Sequence, residues 1–265
     1  MEPKAELKRF IEKLIANERF IFIRFSDGEM EILRGSRLAL NNECVIWSKG
    51  QSTFRYPIYD HKDFHPDRDK SLMEALTATA KHQSPEYFKG IPSTHNGDLD
   101  ATKFMIELNG GSETNLTFSD LWINSNYKCF LNECLPVLKA RPVTLIANFR
   151  TKPEKISEKW SLIAVPDGAF QNHAQIVEDI IQEVKLLPIG AVVLSSASSI
   201  SNLIGHHISS LNIGVTFIDI GTALHEQLGF TDSRRLYLSQ LKPWRLSTFK
   251  EKLGYFVSKG SRIKW

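Results

Sequence analysis

At 265 residues, with 42% hydrophobic and 24% charged side chains, the chain can bury a substantial core and is not a disordered segment. A formal net charge of +3 is too small to point to nucleic acid. Met1-Glu-Pro-Lys-Ala does not begin a signal peptide and no apolar run spans a bilayer. Cys44, Cys129 and Cys134 have no metal spacing and cannot all pair, so a cytoplasmic location is expected.

In chain order, Leu7, Phe10, Ile11, Leu14 and Ile15 form the apolar stripe of an amphipathic helix with Lys and Glu opposite. A β-prone run over 20–25 follows, then the turn Ser26-Asp-Gly-Glu29 and a short helix ending near Gly35. Segment 36–64 has no clean period and reads as loops and short strands. A helix is expected from His65 to about 82 with Leu72 and Leu76 inward, and a strand over 87–92 stopped by Pro92. A helix over 119–138 precedes a buried strand over 143–149. Strands at 161–165, 191–195 and 215–220 then alternate with two helices. The first, over 172–187, carries Ile176, Val177, Ile180, Ile181 and Val184 inward; the second, over 198–211, carries Ile200, Leu203, Ile204 and Ile208. Strands apolar on both faces between amphipathic helices define an α/β fold, a Rossmann-like, mostly parallel sheet with helices on both faces. No linker splits 1–231, which reads as one domain.

In such a sheet the strand ends share one edge, where ligands bind. Asp27 and Glu29 follow the first strand, Asn148 and Arg150 the 143–149 strand, and Asp167 the next. Ser195-Ser-Ala-Ser-Ser-Ile-Ser201 bridges a strand and a helix, while Asp219, Gly221, His225 and Glu226 follow the last strand. Asp27 and Glu29, with Gly28 between them, can offer oxygens to one hard cation beside a diphosphate. The same residues make Ser26-x-x-Glu29 a capping box. Ser198, Ser199 and Ser201 can add hydroxyl donors to a phosphate at a helix start, or simply cap the helix and fill a tight turn. No P-loop, dinucleotide fingerprint or Gly-x-Ser-x-Gly elbow occurs. His206 and His207 lie mid-helix and read as packing or surface; His61, His65, His82 and His95 lack metal spacing. Trp122 reads as core, with Asn124 and Asn126 as candidate sugar or base contacts.

Residues 232–265 differ in character. Arg234, Arg235, Lys242, Arg245, Lys250, Lys252, Lys259, Arg262 and Lys264 stand against Asp232 and Glu251, with Tyr237, Trp244, Phe249, Tyr255, Phe256 and Trp265 among them. This extension reads first as a cap packing on the domain. A peripheral contact with an anionic membrane or a lipid-linked acceptor is its second reading.

Taken together, Arg24-Phe-Ser-Asp-Gly-Glu29, Gly90-Ile-Pro92, Asn124-Ser-Asn-Tyr127 and Asp219-Ile-Gly221 with Glu226 resemble, in this order, segments of the bacterial GT-D fold glycosyltransferases, a family first known as a domain of unknown function. Ser26 stands where that family has glycine, and Thr222 where a histidine commonly follows Asp-Ile-Gly. The resemblance implies a UDP-sugar donor and Mn²⁺ or Mg²⁺ held by Asp27 and Glu29. The donor site would draw on Arg24, Gly90, Asn148, Arg150, Ser198 and Ser199, with Lys152 competing with Arg150 for the phosphates. Glu226 would be the general base of an inverting transfer to a glycan or lipid-linked glycan, with Asp219 its competitor; no nucleic acid is implied. A metal-dependent phosphohydrolase and an inactive glycan-binding module are the alternatives.

Overall fold

The computed structural model describes residues 2–41, 45–47, 50–52, 56, 58–92 and 99–230. The basic extension 232–265, Cys44 and His95 lie outside the described residues.

Helix α1 (Pro3–Ile15) starts with proline at its first position, where a missing N–H costs nothing. It buries Leu7, Phe10, Ile11 and Leu14, whereas Ile15, expected on the same stripe, is 59% exposed at the helix end. β1 (Ile21–Arg24) leads into α2 (Asp27–Leu33). Four short strands follow: β2 (Leu38–Leu40), β3 (Val45–Trp47), β4 (Gly50–Ser52) and β5 (Lys62–Phe64). They pair antiparallel in the order β4-β3-β2-β5, which gives the unpatterned 36–64 segment its form. Then come α3 (Lys70–Lys81), β6 (Tyr87–Ile91), α4 (Leu99–Leu108) and β7 (Leu116–Phe118). α3 begins later than His65 because the Asp69 carboxylate accepts the His65 N–H at 2.8 Å and holds 65–69 in a turn. α4 and β7 lie in the stretch between Pro92 and Ser119, which carries no sequence-based expectation.

The expected 119–138 helix is broken. Asn124 takes a left-handed backbone (φ 55°), and Asn126 donates its amide to the Pro3 and Leu121 carbonyls, a structural role rather than a sugar contact. Helix α5 (Tyr127–Cys129) passes through a π turn (Phe130–Cys134) into α6 (Leu135–Lys139). Pro136, which has no N–H to donate to the preceding turn, explains the irregularity there. The remaining elements agree with the alternation: β8 (Val143–Asn148), β9 (Trp160–Val165), α7 (His173–Lys185), β10 (Val192–Ser196), α8 (Ser199–Ser210) and β11 (Thr216–Asp219).

Seven strands form one sheet in the order β7-β6-β1-β11-β10-β8-β9, and every pairing in it is parallel. Strand side chains alternate between two apolar layers. Ile21, Ile23, Ile146, Val193 and Phe217 face α3, α4, α7 and α8, while Phe22, Leu145, Leu194 and Ile218 face α1 and the 127–139 segment. Trp122 is fully buried in the second layer, and the His206 ring packs 5.0 Å from that of His82, as packing residues should. Cys129 and Cys134 are buried free thiols.

Helix α8 approaches the sheet closely at Gly205. A β-carbon there would lie 2.4 Å from Ile23 Cγ2 and 3.1 Å from the Phe217 ring, so α8 rests directly on β1 and β11. Gly205→Ala is expected to destabilise the fold by about 1–3 kcal/mol through overpacking. Urea unfolding should show a lower midpoint with an unchanged slope.

Candidate functional site

The strand order sets the location. From β1 the chain builds β6 and β7 on one side, then crosses to build β8 to β11 on the other, so β1 and β11 meet at the switch point of the sheet. In open α/β sheets, ligands bind beyond the carboxyl ends of such strands. Arg24 ends β1 and Asp219 ends β11, and their side chains pair, Arg24 Nε lying 3.6 Å from Asp219 Oδ2. Arg24 also donates to the Ser119 carbonyl at 3.1 Å, and Asp219 Oδ1 accepts the Gly221 N–H at 2.9 Å. Gly221 has φ +53°, and a β-carbon there would fall 2.3 Å from Arg24 Nη2; only glycine lets the guanidinium lie against this turn. Burial pushes the Asp219 carboxyl up to about 6; Arg24 opposes the rise and the charge of Glu29 adds to it.

Glu29 is the second anchor, 3% exposed. Its Oε2 accepts from the Ser26 hydroxyl (2.5 Å) and the Ser26 N–H (3.2 Å), so the capping box is formed. Its Oε1 accepts from the Ser199 hydroxyl at 2.6 Å and from Lys62 Nζ at 3.4 Å. Burial alone would raise this carboxyl, but Lys62, then the Ser199 and Ser26 hydroxyls and Arg24, outweigh it and bring it down to about 2. Lys62 begins β5, so the small antiparallel sheet delivers it; nothing in the aperiodic 36–64 segment marks this residue in the sequence. Next to it, Tyr59 packs against His225 and Phe230, with ring centres 6.2 and 4.7 Å apart. The segment preceding β5 thus lies against the turn that follows β11.

The other expected residues divide. Asn148, Arg150 and Asp167 come together at the ends of β8 and β9: Arg150 donates to both Asp167 oxygens (2.5 and 2.6 Å) and Asn148 Nδ2 donates to Asp167 at 2.8 Å. Arg150 is thus paired with a carboxylate while its side chain stays 41% exposed. Ser199 is fully buried and committed to Glu29, and Ser201 accepts the Ala197 N–H at 3.1 Å. Ser198 is exposed at the head of α8 with φ 55°. Gly90 is a packing glycine: a β-carbon there would meet the Phe118 carbonyl at 2.9 Å and the Phe22 ring at 3.1 Å. Glu226 sits half-buried in the turn beyond β11.

The Asp27/Glu29 pair does not converge. The helix begins at Asp27, and residues two apart on a helix point roughly 200° apart. Asp27 is accordingly exposed while Glu29 turns inward. Both Glu29 oxygens carry hydrogen bonds, one of them from an ammonium, and among the described residues no group of three or more His, Cys, Asp or Glu side chains is placed to hold a metal. These side chains as arranged do not fit a divalent cation shared by Asp27 and Glu29.

This architecture, a parallel α/β sheet with helices on both faces, is also found in known structures. No family model matches the chain, and no curated protein matches it. Three solved structures share the fold. One is a structure of the domain of unknown function 1792, at 15% identity and TM-score 0.53, covering 82% of this chain and 77% of that one. The second, described as a new glycosyltransferase of that domain type from Streptococcus sanguinis, has 12% identity and TM-score 0.52, with 84% of each chain covered. The third, described as showing that this domain has a distinct glycosyltransferase fold, has 13% identity and TM-score 0.52 over 84% and 83% of the two chains. The chain is therefore similar in fold to these glycosyltransferase structures. No helix among the described residues is long and apolar enough to cross a membrane.

Proposed function

We propose that this chain is a glycosyltransferase that takes a UDP-sugar and transfers its sugar, with inversion, to a hydroxyl of a glycan or lipid-linked glycan. The observation that carries the reading is the buried network of Arg24, Asp219, Glu29, Ser199 and Lys62 at the switch point of a sheet whose fold is shared with glycosyltransferase structures. Fixed dipoles and charges at the mouth of a parallel sheet suit a diphosphate leaving group, because they need no reorganisation as negative charge builds on it. In the transfer, the acceptor oxygen bonds to the anomeric carbon, the bond to the diphosphate breaks, and UDP leaves with the electron pair. A carboxylate takes the acceptor proton. Glu226 is assigned that role. Asp219, 4% exposed and held by Arg24 and the Gly221 N–H, organises the site instead.

UDP at ~100 times its dissociation constant is expected to add about 2.7 kcal/mol to stability, read by thermal or chemical unfolding. Incubation with UDP-sugars and candidate acceptors should release UDP in step with a new glycoside. Inorganic phosphate released without a glycoside would identify a phosphohydrolase. Glycan binding indifferent to UDP would identify a binding module.

A further inference from the structure

A departing diphosphate is stabilised by a cation beside it. We infer that the ammonium of Lys62 occupies the place a divalent metal would take between Glu29 and a nucleoside diphosphate, so that donor binding is metal-independent. The inference rests on the glycosyltransferase reading and deepens it.

Three observations support it. First, Lys62 Nζ lies 3.4 Å from Glu29 Oε1, with the two side chains 15% and 4% exposed; this is a largely buried pair rather than a loose surface contact. Second, the ammonium lies over the first turn of α2: a β-carbon at Gly28 would come 3.0 Å from Nζ, so glycine between Asp27 and Glu29 makes room for the lysine. A cation at a helix start works against the helix dipole and persists there because a carboxylate holds it. Third, its delivery is built into the fold. β5 is fixed to β2 by antiparallel pairing, with Leu40 opposite Lys62, and β2 follows α2 closely in the chain. The helix carrying Glu29 and the strand carrying Lys62 are thus joined through one small sheet.

The chemistry is that of a point charge with three N–H donors. Among the described residues, Glu29 is its one hydrogen-bond acceptor, and an ammonium has further N–H groups to offer phosphate oxygens. Bridging carboxylate to diphosphate is the function a metal performs in such sites. Here Glu29 already carries a cation, and Ser26 and Ser199 hold the remaining lone pairs in place.

The test is titration calorimetry of UDP into the full-length chain, with chelator and with Mn²⁺, for wild type, Lys62→Met and Lys62→Arg. Wild type is expected to bind UDP equally well under both conditions. Lys62→Met should lose on the order of 10- to 100-fold in chelator, the worth of one charge-assisted hydrogen bond. Part of that loss should return with Mn²⁺, because an oxygen of Glu29 is released. Lys62→Arg keeps the charge and should remain indifferent to metal. Wild-type affinity that falls tenfold or more in chelator overturns the inference without any variant, as does a folded Lys62→Met that binds like wild type. Absence of UDP binding under both conditions removes the donor reading itself, which separates that failure from this one.

Discussion

Glu29→Ala is expected to lower the unfolding free energy by about 3–5 kcal/mol at neutral pH, the usual cost of removing one member of a buried charged pair. The truncation strips an acceptor from Lys62, from the Ser199 hydroxyl and from both Ser26 donors, and removes the capping box of α2. The pH dependence is a sharper test. The folded carboxyl titrates at about 2, against 4.5 for an ordinary glutamate, so the unfolded chain binds the proton more readily. Its contribution is fully present above pH 4.5 and is lost as pH falls through 2. The shift corresponds to about 3 kcal/mol. Urea unfolding of wild type and Glu29→Gln should differ by that order at pH 7 and converge near pH 2. Asp219 runs the other way. With its folded carboxyl raised to about 6 from 3.8, its contribution is present below pH 3.8 and declines as pH rises through 6. Asp219→Asn should therefore remove a downward slope between those values. A Glu29→Ala variant as stable as wild type would show that the carboxylate serves ligand binding rather than the fold.

Glu226→Gln is expected to lower turnover ~10²–10⁴-fold while leaving UDP affinity nearly unchanged, the range for loss of a general base. Asp219→Asn should mainly cost stability or donor affinity, because that carboxyl is buried and positions Arg24 and the Gly221 turn. Measuring kcat with saturating acceptor, alongside UDP titration of each variant, separates the two roles. Near-normal kcat in Glu226→Gln, with a collapse in Asp219→Asn, would transfer the role to Asp219, whose carboxyl at about 6 is suitably poised.

The alternation of strands and helices from 143 onward was legible because each period is carried by residues adjacent in the chain: Val177, Ile180, Ile181 and Val184 line one helix face whatever the helix packs against. The shared edge of the strand ends was legible for the same reason, since parallel strands put Arg24, Asn148 and Asp219 at one edge. The capping box was legible as well, and was weighed against a metal pair. The helix start at Asp27 forms the capping box and turns Asp27 outward and Glu29 inward. The 36–64 segment was opaque because three-residue strands are too short to display a period.

Local pattern in the sequence thus determined the fold class, the strand-end edge and the capping box. Tertiary structure alone decided what those residues touch. Ser199, expected to reach a phosphate, meets Glu29 across 170 positions, and Lys62 reaches the same carboxylate across 33. Gly90 packs closely against β7, and Arg150 is held by Asp167. The physical reason is the same in each case. A side chain's partner is set by sheet order and by which element lies over which strand end, and those depend on contacts between residues far apart in the chain, which no local periodicity encodes.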